Sequence, residues 1–497
     1  MADSDGTPQP LVKNRDVVVV GDCRPTSGEN ETSGSITVID DILRRLAEAE
    51  HIGDIDLHLR RLNTSCNKCK PGEQEKAKRW LKWAKQREHL KVVSTPVPLR
   101  ILPEPYTGEL SDVRVFTRRG PDDAIFEKNK DIREKVARGN CFLDLSGGPE
   151  RCMCCVVYAF KKFTGGLGDD DDKEKGDNFT WKKFFTKSLE ETDKVVCTRK
   201  ANGEAAHLSC LEIDGELFIC GGSKNVHMLI RRKEDIELYS GPRFKIAKEV
   251  CEAIMTALEA MNEEDKLRLL KFLAITRFTA IFEILSPAHQ HVENLSHLSS
   301  SKLVFITWTS VDLEPSADTQ LSPLPPHVSI EVARCLGLET VKYEVIPYSD
   351  VEDRMSQVRR GYNYEGEVFY FLDGSSNVIG LLKKKTAWYI LCRAIREKAR
   401  GITGILVKSP ETFSLPGALS KVERRLTEIQ DWLGLEETYI SKWKELGVRF
   451  TKWVVRKMEN GELGPADIAD QFPVTWDSFL KESGLTDNIQ FGDGVSL

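Results

Sequence analysis

The sequence lacks an apolar run long enough to cross a membrane. No apolar stretch approaches 18 residues, and no charged segment followed by an apolar one opens the chain. We therefore expect an intracellular protein, cytoplasmic or nuclear, with no signal peptide and no membrane partner. The net charge of −6 also lacks the basic excess of a general nucleic-acid binder. Any site for a polyanion must therefore be a local basic patch.

The cysteines lack the pattern of a disulfide framework. There are 13 of them, an odd number scattered over 497 residues, which indicates reduced thiols. The cysteines that could form a metal site are Cys66, Cys69, Cys141, Cys152, Cys154 and Cys155. The first two form a CxxC pair, but the others lack the two-residue spacing of common zinc ribbons. Zinc binding remains the alternative to packed or surface thiols, which are the default.

The length of 497 residues exceeds what one ordinary core supports, so we expect several domains. Alternating strand and helix patterns predict an α/β domain at residues 1–166. The segment "GGLGDDDDKEKGDN" predicts an acidic linker or loop at 167–185. Short strands around one long helix predict an α+β domain at 186–400, and amphipathic segments predict an all-α domain at 401–497.

Three features of the first predicted domain suggest roles. "VVVVGD" at 17–22 predicts a buried strand, and 72–91 predicts a basic helix carrying Trp80 and Trp83. We expect this helix and the C-terminal helices to hold RNA, so removal of residues 401–497 should spare any chemistry. "CFLDLSGGPERCMCCVVYAF" predicts a strand, a Gly-Gly-Pro turn and a helix, faintly similar to the cofactor loop of RNA methyltransferases. One such unit is weak support, so a non-catalytic or unrelated α/β domain is the default.

A lysine stands at the end of a β-favouring segment in "VVCTRKANGE". In one interpretation, Asn-Gly forms a hairpin turn and Lys200 is a solvated residue at a strand end. In the other, Lys200 is a nucleophile, and Gly203 allows the backbone to approach a bound phosphate. These residues alone favour the turn, so the choice depends on the rest of the chain.

Four downstream fragments carry charged residues beside apolar strands. They are "GGSKNVHM" with Ser223 and Lys224, "AIFEIL" with Phe282 and Glu283, "YEGEVFYF" with Glu365, and "IGLLKKKTAWY" with Lys383, Lys384 and Lys385. In a strand, Lys383 and Lys385 point to one face and Lys384 to the other. Two neighbouring ammonium groups repel each other unless an anion lies between them, so this pair indicates an anion site.

In this order, the fragments resemble the motifs of the covalent nucleotidyltransferases, the superfamily of ATP-dependent ligases and capping enzymes. "KANG", the following "SK" and the aromatic-rich "TAWYILCRAIREK" are most similar to RNA ligases. These include the ligase domain of fungal tRNA ligases, the phage RNA ligase that they resemble, and lancelet-type animal tRNA-splicing ligases. The resemblance covers about 200 of the 497 residues. Arg199 departs from the acidic or apolar residue that often precedes the lysine in relatives.

The resemblance implies ATP and Mg²⁺ or Mn²⁺ as cofactors, with Lys200 as the nucleophile that forms lysyl-AMP. The residues that it assigns to ATP are Thr198, Lys200, Gly203, Lys224, Phe282, Glu283, Lys383 and Lys385. Glu283 should accept hydrogen bonds from the ribose, Glu365 should bind metal, and Ser223 with Lys224 should contact RNA. Phe282 is either an adenine-stacking residue or a core residue. We further expect the two outer lysines of "KKK" to lower the pKa of Lys200.

The implied activity is ligation of RNA ends bearing a 5′-phosphate and a 3′-hydroxyl, such as tRNA halves, in tRNA splicing or RNA repair. The sequence lacks a GxxxxGK(S/T) P-loop and paired HxT elements, so end healing should come from separate enzymes. One alternative is an mRNA-capping-type guanylyltransferase, which would use GTP and carry an OB-type barrel. A non-catalytic RNA-binding protein on a ligase fold is another, and DNA ligation is the least favoured.

Overall fold

The computed structural model describes residues 38–42, 44–46, 62, 72–118, 122–148, 151–163, 180–316 and 320–492. Within them, three antiparallel sheets precede a helical C-terminal region, so the architecture is α+β with helices at the end. The predicted strand at 17–22, the Cys66–Cys69 pair and most of the predicted acidic linker lie outside the described residues.

The first sheet is a four-stranded meander in which every neighbouring pair is antiparallel. Its strands, in spatial order, are β1 (Leu90–Pro96), β2 (Thr107–Val115), β3 (Asn140–Ser146) and β4 (Cys152–Tyr158). The accompanying helices are α1 (Glu73–Lys85), α2 (Asp123–Lys128) and α3 (Lys130–Lys135). Trp80 of α1 is buried and stacks on Phe142 of β3, with ring centroids 5.0 Å apart. Trp80 is thus a core residue, not a platform for RNA bases.

This meander corrects two expectations from the sequence. The N-terminal sheet is antiparallel and not the parallel sheet of an α/β domain, because each strand pairs with the next one along the chain. The predicted helix after the Gly-Gly-Pro turn is strand β4, which pairs with β3. A short, almost continuously apolar run fits a buried strand as well as a helix, and pairing decides between them. The strand–turn–helix unit suggested for a methyl donor is therefore absent from the described residues.

The second sheet has five strands in the order β10-β9-β6-β7-β8. They are β6 (Glu204–Ile213), β7 (Glu216–Ser223), β8 (Val226–Ile230), β9 (Thr279–Leu285) and β10 (Lys302–Thr309). Helices α4 (Lys245–Glu259) and α5 (Glu263–Thr276) pack on it. One apolar cluster includes Leu143 of the first sheet, Leu208 of the second and Ile254 of α4. A division of the chain at residue 166 therefore separates two sheets that share a core.

The third sheet has four strands in the order β11-β5-β12-β13. They are β5 (Thr192–Lys200), β11 (Tyr343–Pro347), β12 (Gly366–Asp373) and β13 (Val378–Lys385), with helices α6 (Pro326–Cys335) and α7 (Val351–Arg359) nearby. The segment Lys200–Gly203 connects β5 to β6, and these strands belong to different sheets. "KANG" is therefore a crossing between sheets and not the turn of a hairpin.

From Ala387 to the end of the described residues, the regular structure is helical, as the sequence predicts. The helices are α8 (Ala387–Lys408), α9 (Leu415–Leu433), α10 (Glu437–Glu459), α11 (Pro465–Ala469) and α12 (Phe472–Ser483). Helix α8 runs through the predicted boundary at residue 400 and shares an apolar cluster with the helices that follow. Asp487 accepts hydrogen bonds from the indoles of Trp388 and Trp476, each at 2.8 Å. The C-terminal residues are thus tied to the start of α8.

Short 3₁₀ helices connect several of these elements. They lie at Thr180–Phe184, Leu189–Glu191, Lys233–Leu238, Pro242–Phe244, Tyr348–Asp350 and Pro410–Thr412. None of the described helices combines the length and the apolar character needed to cross a bilayer.

Candidate active site

Lys200 is the last residue of β5, where the chain leaves the third sheet for the second. Its Nζ lies 3.1 Å from Oε1 of Glu365. Glu365 directly precedes β12, and β12 pairs with β5 so that Gly366 lies opposite Lys200. The pairing of these two strands therefore places the amine against the carboxylate.

The lysines of β13 extend this arrangement across the sheet. Gly366 also pairs with Lys385, and Val368 pairs with both Thr198 and Lys383. Residues directly opposite each other in antiparallel strands project from the same face. Thr198, Lys200, Lys383 and Lys385 therefore share one face of the third sheet, as strand alternation predicts for the two outer lysines.

The three lysines of "KKK" have different surroundings. Lys383 Nζ lies 4.7 Å from the ring centroid of Phe163, and Lys385 Nζ lies 6.0 Å from that of Tyr389. Lys384 pairs with Glu367 on the opposite face and is only 5% exposed. It is therefore a buried residue of the sheet and not part of a solvated charge run.

Asn202 connects the segments that surround Lys200. Its Nδ2 donates to Glu365 Oε2 at 2.8 Å and to the Tyr389 hydroxyl at 3.2 Å. Its Oδ1 accepts the backbone N–H groups of Val292 and Glu293, both at 3.2 Å. Glu293 in turn accepts the backbone N–H of Glu365 at 2.7 Å. The residue expected to form a turn is thus a buried cross-link between four segments.

Gly203 and Glu283 form another contact between segments at this site. The N–H of Gly203 donates to Glu283 Oε1 at 3.1 Å, which places this carboxylate beside the Lys200 turn. A Cβ at Gly203 would collide with the carbonyl oxygen of Ile284. Glycine is therefore required here by the close approach of β9, independently of any bound phosphate.

Phe282 and the residues expected to contact RNA lie elsewhere. Phe282 is buried and packs edge-to-face on Phe305, with ring centroids 5.6 Å apart. This corrects the adenine-stacking role, because neighbouring residues of a strand project from opposite faces and Glu283 takes the side of the site. Ser223 ends β7, and the Nζ of Lys224 lies 2.9 Å from Oδ2 of Asp122.

A cleft of about 590 Å³ opens beside Lys200. Its described lining includes Lys200, Glu365, Lys245, His289, His291, Arg393, Arg396 and Arg400, but neither Ser223 nor Lys224. The three arginines are spaced i, i+3 and i+7, so they lie along one face of α8. Arg396 is 8% exposed, and its Nε hydrogen-bonds to no described residue. The cleft thus has a row of guanidinium groups, and its lining also includes the carboxylates of Glu204, Glu249, Glu397 and Asp470.

The ionisation of Lys200 and Glu365 favours a charged pair. Burial by itself lowers the pKa of Lys200, but Glu365 and Glu283 outweigh it and raise that pKa above its ordinary value. Burial likewise disfavours the Glu365 carboxylate, but Lys200 and Lys385 outweigh it and lower its pKa. The expectation that Lys383 and Lys385 depress the pKa of Lys200 was therefore wrong for this state, because the carboxylates dominate.

Two other carboxyl groups respond mainly to burial. Burial raises the pKa of Glu283, against the attraction of Lys200. Burial also raises the pKa of Glu293 to about 7, against the hydrogen bond from the Glu365 backbone and the attraction of Arg199. A group with this pKa exchanges its proton close to neutral pH.

Several residues of the site were missed from the sequence. They are Asn202 as a cross-link, Glu293, His289, His291, Tyr389 and the arginines of α8. The helical spacing of Arg393, Arg396 and Arg400 was a readable signal. Asn202 and Glu293 carried no readable signal in the sequence, because their roles depend on contacts between distant segments.

Comparison with known proteins places the chain in a family. The family described as "Domain of unknown function (DUF7920)" matches residues 110–396. Because this match covers more than half of the chain, the chain belongs to that family. The matched segment begins in β2 and ends in α8, so it includes Lys200, Glu283, Glu365 and Lys385. No curated protein matches the chain.

Proposed function

We propose that this member of the family is an ATP-dependent RNA ligase of the covalent nucleotidyltransferase type. The observation that carries the proposal is the pairing of Lys200 with buried Glu365 at 3.1 Å, on the sheet face that also holds Lys383 and Lys385. Nucleotidyl transfer to an amine needs a nucleophile, charge neutralisation at the phosphates and an oxygen ligand for a divalent ion. These residues supply all three.

The donor set at the site fits the implied metal. Mg²⁺ and Mn²⁺ prefer oxygen ligands, and Glu365 offers a buried carboxylate with Glu283 nearby. A bound divalent ion would supply positive charge to the α-phosphate. Glu365 engaged in this way would no longer hold the proton on Lys200, which removes the interaction that raises its pKa.

Lys200 then acts as the nucleophile. Its deprotonated amine attacks the α-phosphorus of ATP, a P–N bond forms, and the bond to the β-phosphate breaks with release of pyrophosphate. Lys383 and Lys385 neutralise phosphate charge on the same face of the sheet. AMP passes to an RNA 5′-phosphate, and attack by a 3′-hydroxyl joins the ends and releases AMP. Lys200 is thereby returned to its starting form.

The arginine row on α8 is suited to RNA phosphates. Guanidinium groups bind phosphate oxygens in a bidentate manner, and Arg393 and Arg400 line the cleft on either side of Arg396. The guanidinium of Arg396 is buried and already donates to Glu397 and to the carbonyl of Ala469. Tyr389 contacts Asn202 next to the site. At a rise of 1.5 Å per residue, Arg393 lies about 6 Å and Arg400 about 16 Å beyond Tyr389 along the axis of α8. An RNA strand bound along this row of arginines would lead towards Lys200.

The decisive experiment is covalent labelling with ATP carrying a labelled α-phosphate, in the presence of Mg²⁺ and without RNA. We expect one acid-labile, alkali-stable label, which is lost in Lys200→Ala and in Lys200→Arg because a guanidinium keeps no lone pair for attack. Lys421→Ala, at an exposed lysine of α9, is the matched control and should label normally. Labelling by GTP instead would favour a guanylyltransferase. No label from either nucleotide, in folded protein, would favour the non-catalytic alternative.

RNA joining is tested separately with synthetic RNA pairs. We expect ligation of a 5′-phosphate end to a 3′-hydroxyl end and none with a 5′-hydroxyl donor. Pre-adenylated RNA bypasses the first step, so Lys200→Ala should still seal that substrate if its other contacts survive. Labelled enzyme that never transfers AMP to RNA would contradict the choice of substrate while leaving the nucleophile intact.

A further inference from the structure

A buried group of three side chains lies between the first and second sheets. Asp112 of β2 and Cys141 of β3 are directly opposite each other in the first sheet, and His227 reaches them from β8 of the second. One oxygen, one sulfur and one nitrogen atom from these residues all lie within 4.8 Å of one another. All three side chains are buried. Among the described residues, none of the three lines the cleft at Lys200.

Asp112 and His227 each have a second polar atom, and each of these atoms contacts a residue outside the group. Oδ2 of Asp112 accepts a hydrogen bond from Arg243 at 2.5 Å, while Oδ1 lies 2.8 Å from Nδ1 of His227. Nε2 of His227 lies 3.1 Å from Nδ1 of His207. Metal-binding carboxylates and imidazoles in proteins are typically oriented in this way by outer partners. Oδ1 of Asp112 and Nδ1 of His227 are thus directed at the same small volume.

A second thiol and a glycine complete the surroundings. The thiol of Cys220 is close enough to that of Cys141 to raise the pKa of Cys141 further, in addition to the effect of burial. Gly222 pairs with both His207 and His227, so it stands between the two imidazoles in a cross-strand row. A Cβ at Gly222 would collide with the carbonyl oxygen of Val226 and with Cα of His227, the latter at 2.7 Å, and it would lie 3.0 Å from Cδ2 of the His227 ring. Glycine is therefore required here by the close approach of β8, and the rings of His207 and His227 stack with centroids 5.4 Å apart.

We propose that Asp112, Cys141 and His227 bind a Zn²⁺ ion that joins the first sheet to the second, with Cys220 as a candidate for a fourth ligand. A mixture of thiolate, imidazole and carboxylate is the donor set that Zn²⁺ takes in proteins, and four ligands close a structural site. This site is independent of the ligase proposal, because it uses no residue of the cleft.

Binding has a definite proton balance. The Cys141 thiol releases its proton to solvent and coordinates as thiolate, and Cys220 does the same if it is the fourth ligand. His227 stays neutral, with its proton on Nε2 directed at Nδ1 of His207, so that Nδ1 is available to the metal. The Asp112–His227 hydrogen bond is replaced by two metal–ligand bonds. Because the ligands come from two sheets, the ion should stabilise their packing.

The test is the metal content of the full-length protein purified without chelator. We expect one zinc ion per chain by mass spectrometry. The cobalt-substituted protein should show a thiolate-to-cobalt absorption band in the near ultraviolet, and chelation should lower the melting temperature. Cys141→Ser and His227→Gln should each lose the ion and the band. Cys154→Ser is the matched control, since Cys154 is another buried cysteine of the first sheet outside the group, and the variant should keep both the ion and the band.

Two further variants separate this site from other sources of metal. Glu365→Gln should keep the zinc, because it alters only the proposed site at Lys200. A Cys66→Ser/Cys69→Ser double variant should also keep it, and loss in that variant would assign the ion to the CxxC pair instead. Folded wild-type protein that takes up no zinc or cobalt would overturn the proposal. The group would then be a metal-free hydrogen-bonded chain from Arg243 to His207. If Cys141→Ser does not fold, the content and spectrum of the wild-type protein decide the question.

Discussion

Lys200 of β5 and Lys385 of β13 occupy one cross-strand row of the third sheet, with Gly366 of β12 between them. Neighbouring strands lie about 4.8 Å apart, so the Cα atoms of the two lysines are separated by about 10 Å, and glycine places no side chain between them. Glu365, one residue before Gly366, is close enough to both lysines for each to lower its pKa. This row brings together the amine, the carboxylate and a second cation.

Gly366→Ala should disrupt this row. The φ of Gly366 is +152°, and a Cβ there would collide with the carbonyl oxygen of Lys384 on the paired strand. Relief of this collision must shift β12 against β13 and move Glu365 away from Lys200. We expect adenylylation to fall by about 10²-fold or more, the size of effect seen when one charge-stabilising group is lost. Single-turnover labelling measures it.

Gly374→Ala is the matched control for this variant. A Cβ at Gly374 would meet no atom within 4 Å, although the residue directly follows the same strand. Its labelling rate should equal that of the wild-type protein. Normal labelling in Gly366→Ala would show that the lysine row does not need close pairing of these strands.

Adenylylation should depend steeply on pH. Glu365 and Glu283 outweigh burial and raise the pKa of Lys200, so only a small fraction of the amine is neutral near pH 7. Below its pKa, the neutral fraction of an amine rises about tenfold per pH unit. We therefore expect the single-turnover rate at low Mg²⁺ to rise with a slope near one on a logarithmic scale between about pH 6 and 8.

Sealing of pre-adenylated RNA is the internal control for this pH dependence. That reaction does not use the Lys200 amine as a nucleophile, so it should lack the same slope. A flat adenylylation profile would mean that the amine is already neutral in the resting protein, which is incompatible with a charged Lys200–Glu365 pair.

The parts of this fold that could be read from the sequence depend on local pattern. The Lys383–Lys385 face follows from strand alternation, and the C-terminal helices follow from their apolar periodicity. The N-terminal sheet could not be read in the same way. The run Cys152–Tyr158 is apolar at almost every position, so its period does not distinguish strand from helix. Only its pairing with β3 settles the matter.

The site was readable where charge interrupts an apolar strand, as at Glu283 and Glu365. Asn202 was not readable, because Asn-Gly is a common turn signal and its four partners come from segments far apart in the chain. The pKa of Lys200 was also not readable, because it depends on which charge lies nearest. The sequence shows that Lys383 and Lys385 are present, but it does not show that Lys200 lies 3.1 Å from Glu365.

Removal of residues 401–497 should abolish adenylylation as well as RNA joining, contrary to the expectation from sequence. The cut falls within α8 and exposes the apolar cluster that this helix shares with α9, α10 and α12. It also removes Asp487, which holds Trp388 next to Tyr389. We expect loss of the covalent label together with a lower melting temperature. A stable truncated protein that labels at the wild-type rate would restore the view of an independent C-terminal domain.

Arg400→Ala should weaken RNA joining and spare adenylylation. Arg400 lines the cleft at the far end of the arginine row and pairs with Glu397 on the same helix. Loss of one phosphate contact should lower RNA affinity and reduce its salt dependence by about one unit of slope. Measurement of RNA binding at several salt concentrations, beside ATP labelling, separates the two effects.

Arg424→Ala provides the control for the arginine row. Arg424 is exposed on α9 and also pairs with a glutamate of its own helix, but it does not line the cleft. The Arg424→Ala variant should therefore join RNA normally, and the salt dependence of its RNA affinity should be unchanged. An equal effect of the two substitutions would indicate a general influence of charge and not a phosphate site on α8.

Glu293→Gln should stabilise the protein at neutral and alkaline pH. Burial raises the pKa of Glu293 to about 7, so the folded state holds this proton more tightly than the unfolded state does. Below about pH 4.5, both states are protonated and the residue has no effect. Between about pH 4.5 and 7, the unfolded state ionises while the folded state keeps its proton, so the free energy of unfolding of the wild-type protein falls as the pH rises and levels off above about pH 7. Allowing for partial solvent screening, the loss is about 2 kcal/mol.

Glutamine removes this ionisation while keeping an oxygen that can accept the backbone N–H of Glu365, now held at 2.7 Å. The melting temperatures of the variant and the wild-type protein should therefore coincide near pH 4, diverge between about pH 4.5 and 7, and remain apart at pH 8, with the variant the higher. Glu423→Gln, at an exposed position of α9, removes a carboxylate without this burial and should show no such divergence. Parallel stability curves for Glu293→Gln and the wild-type protein across this range would show that Glu293 titrates as an ordinary solvated carboxyl group.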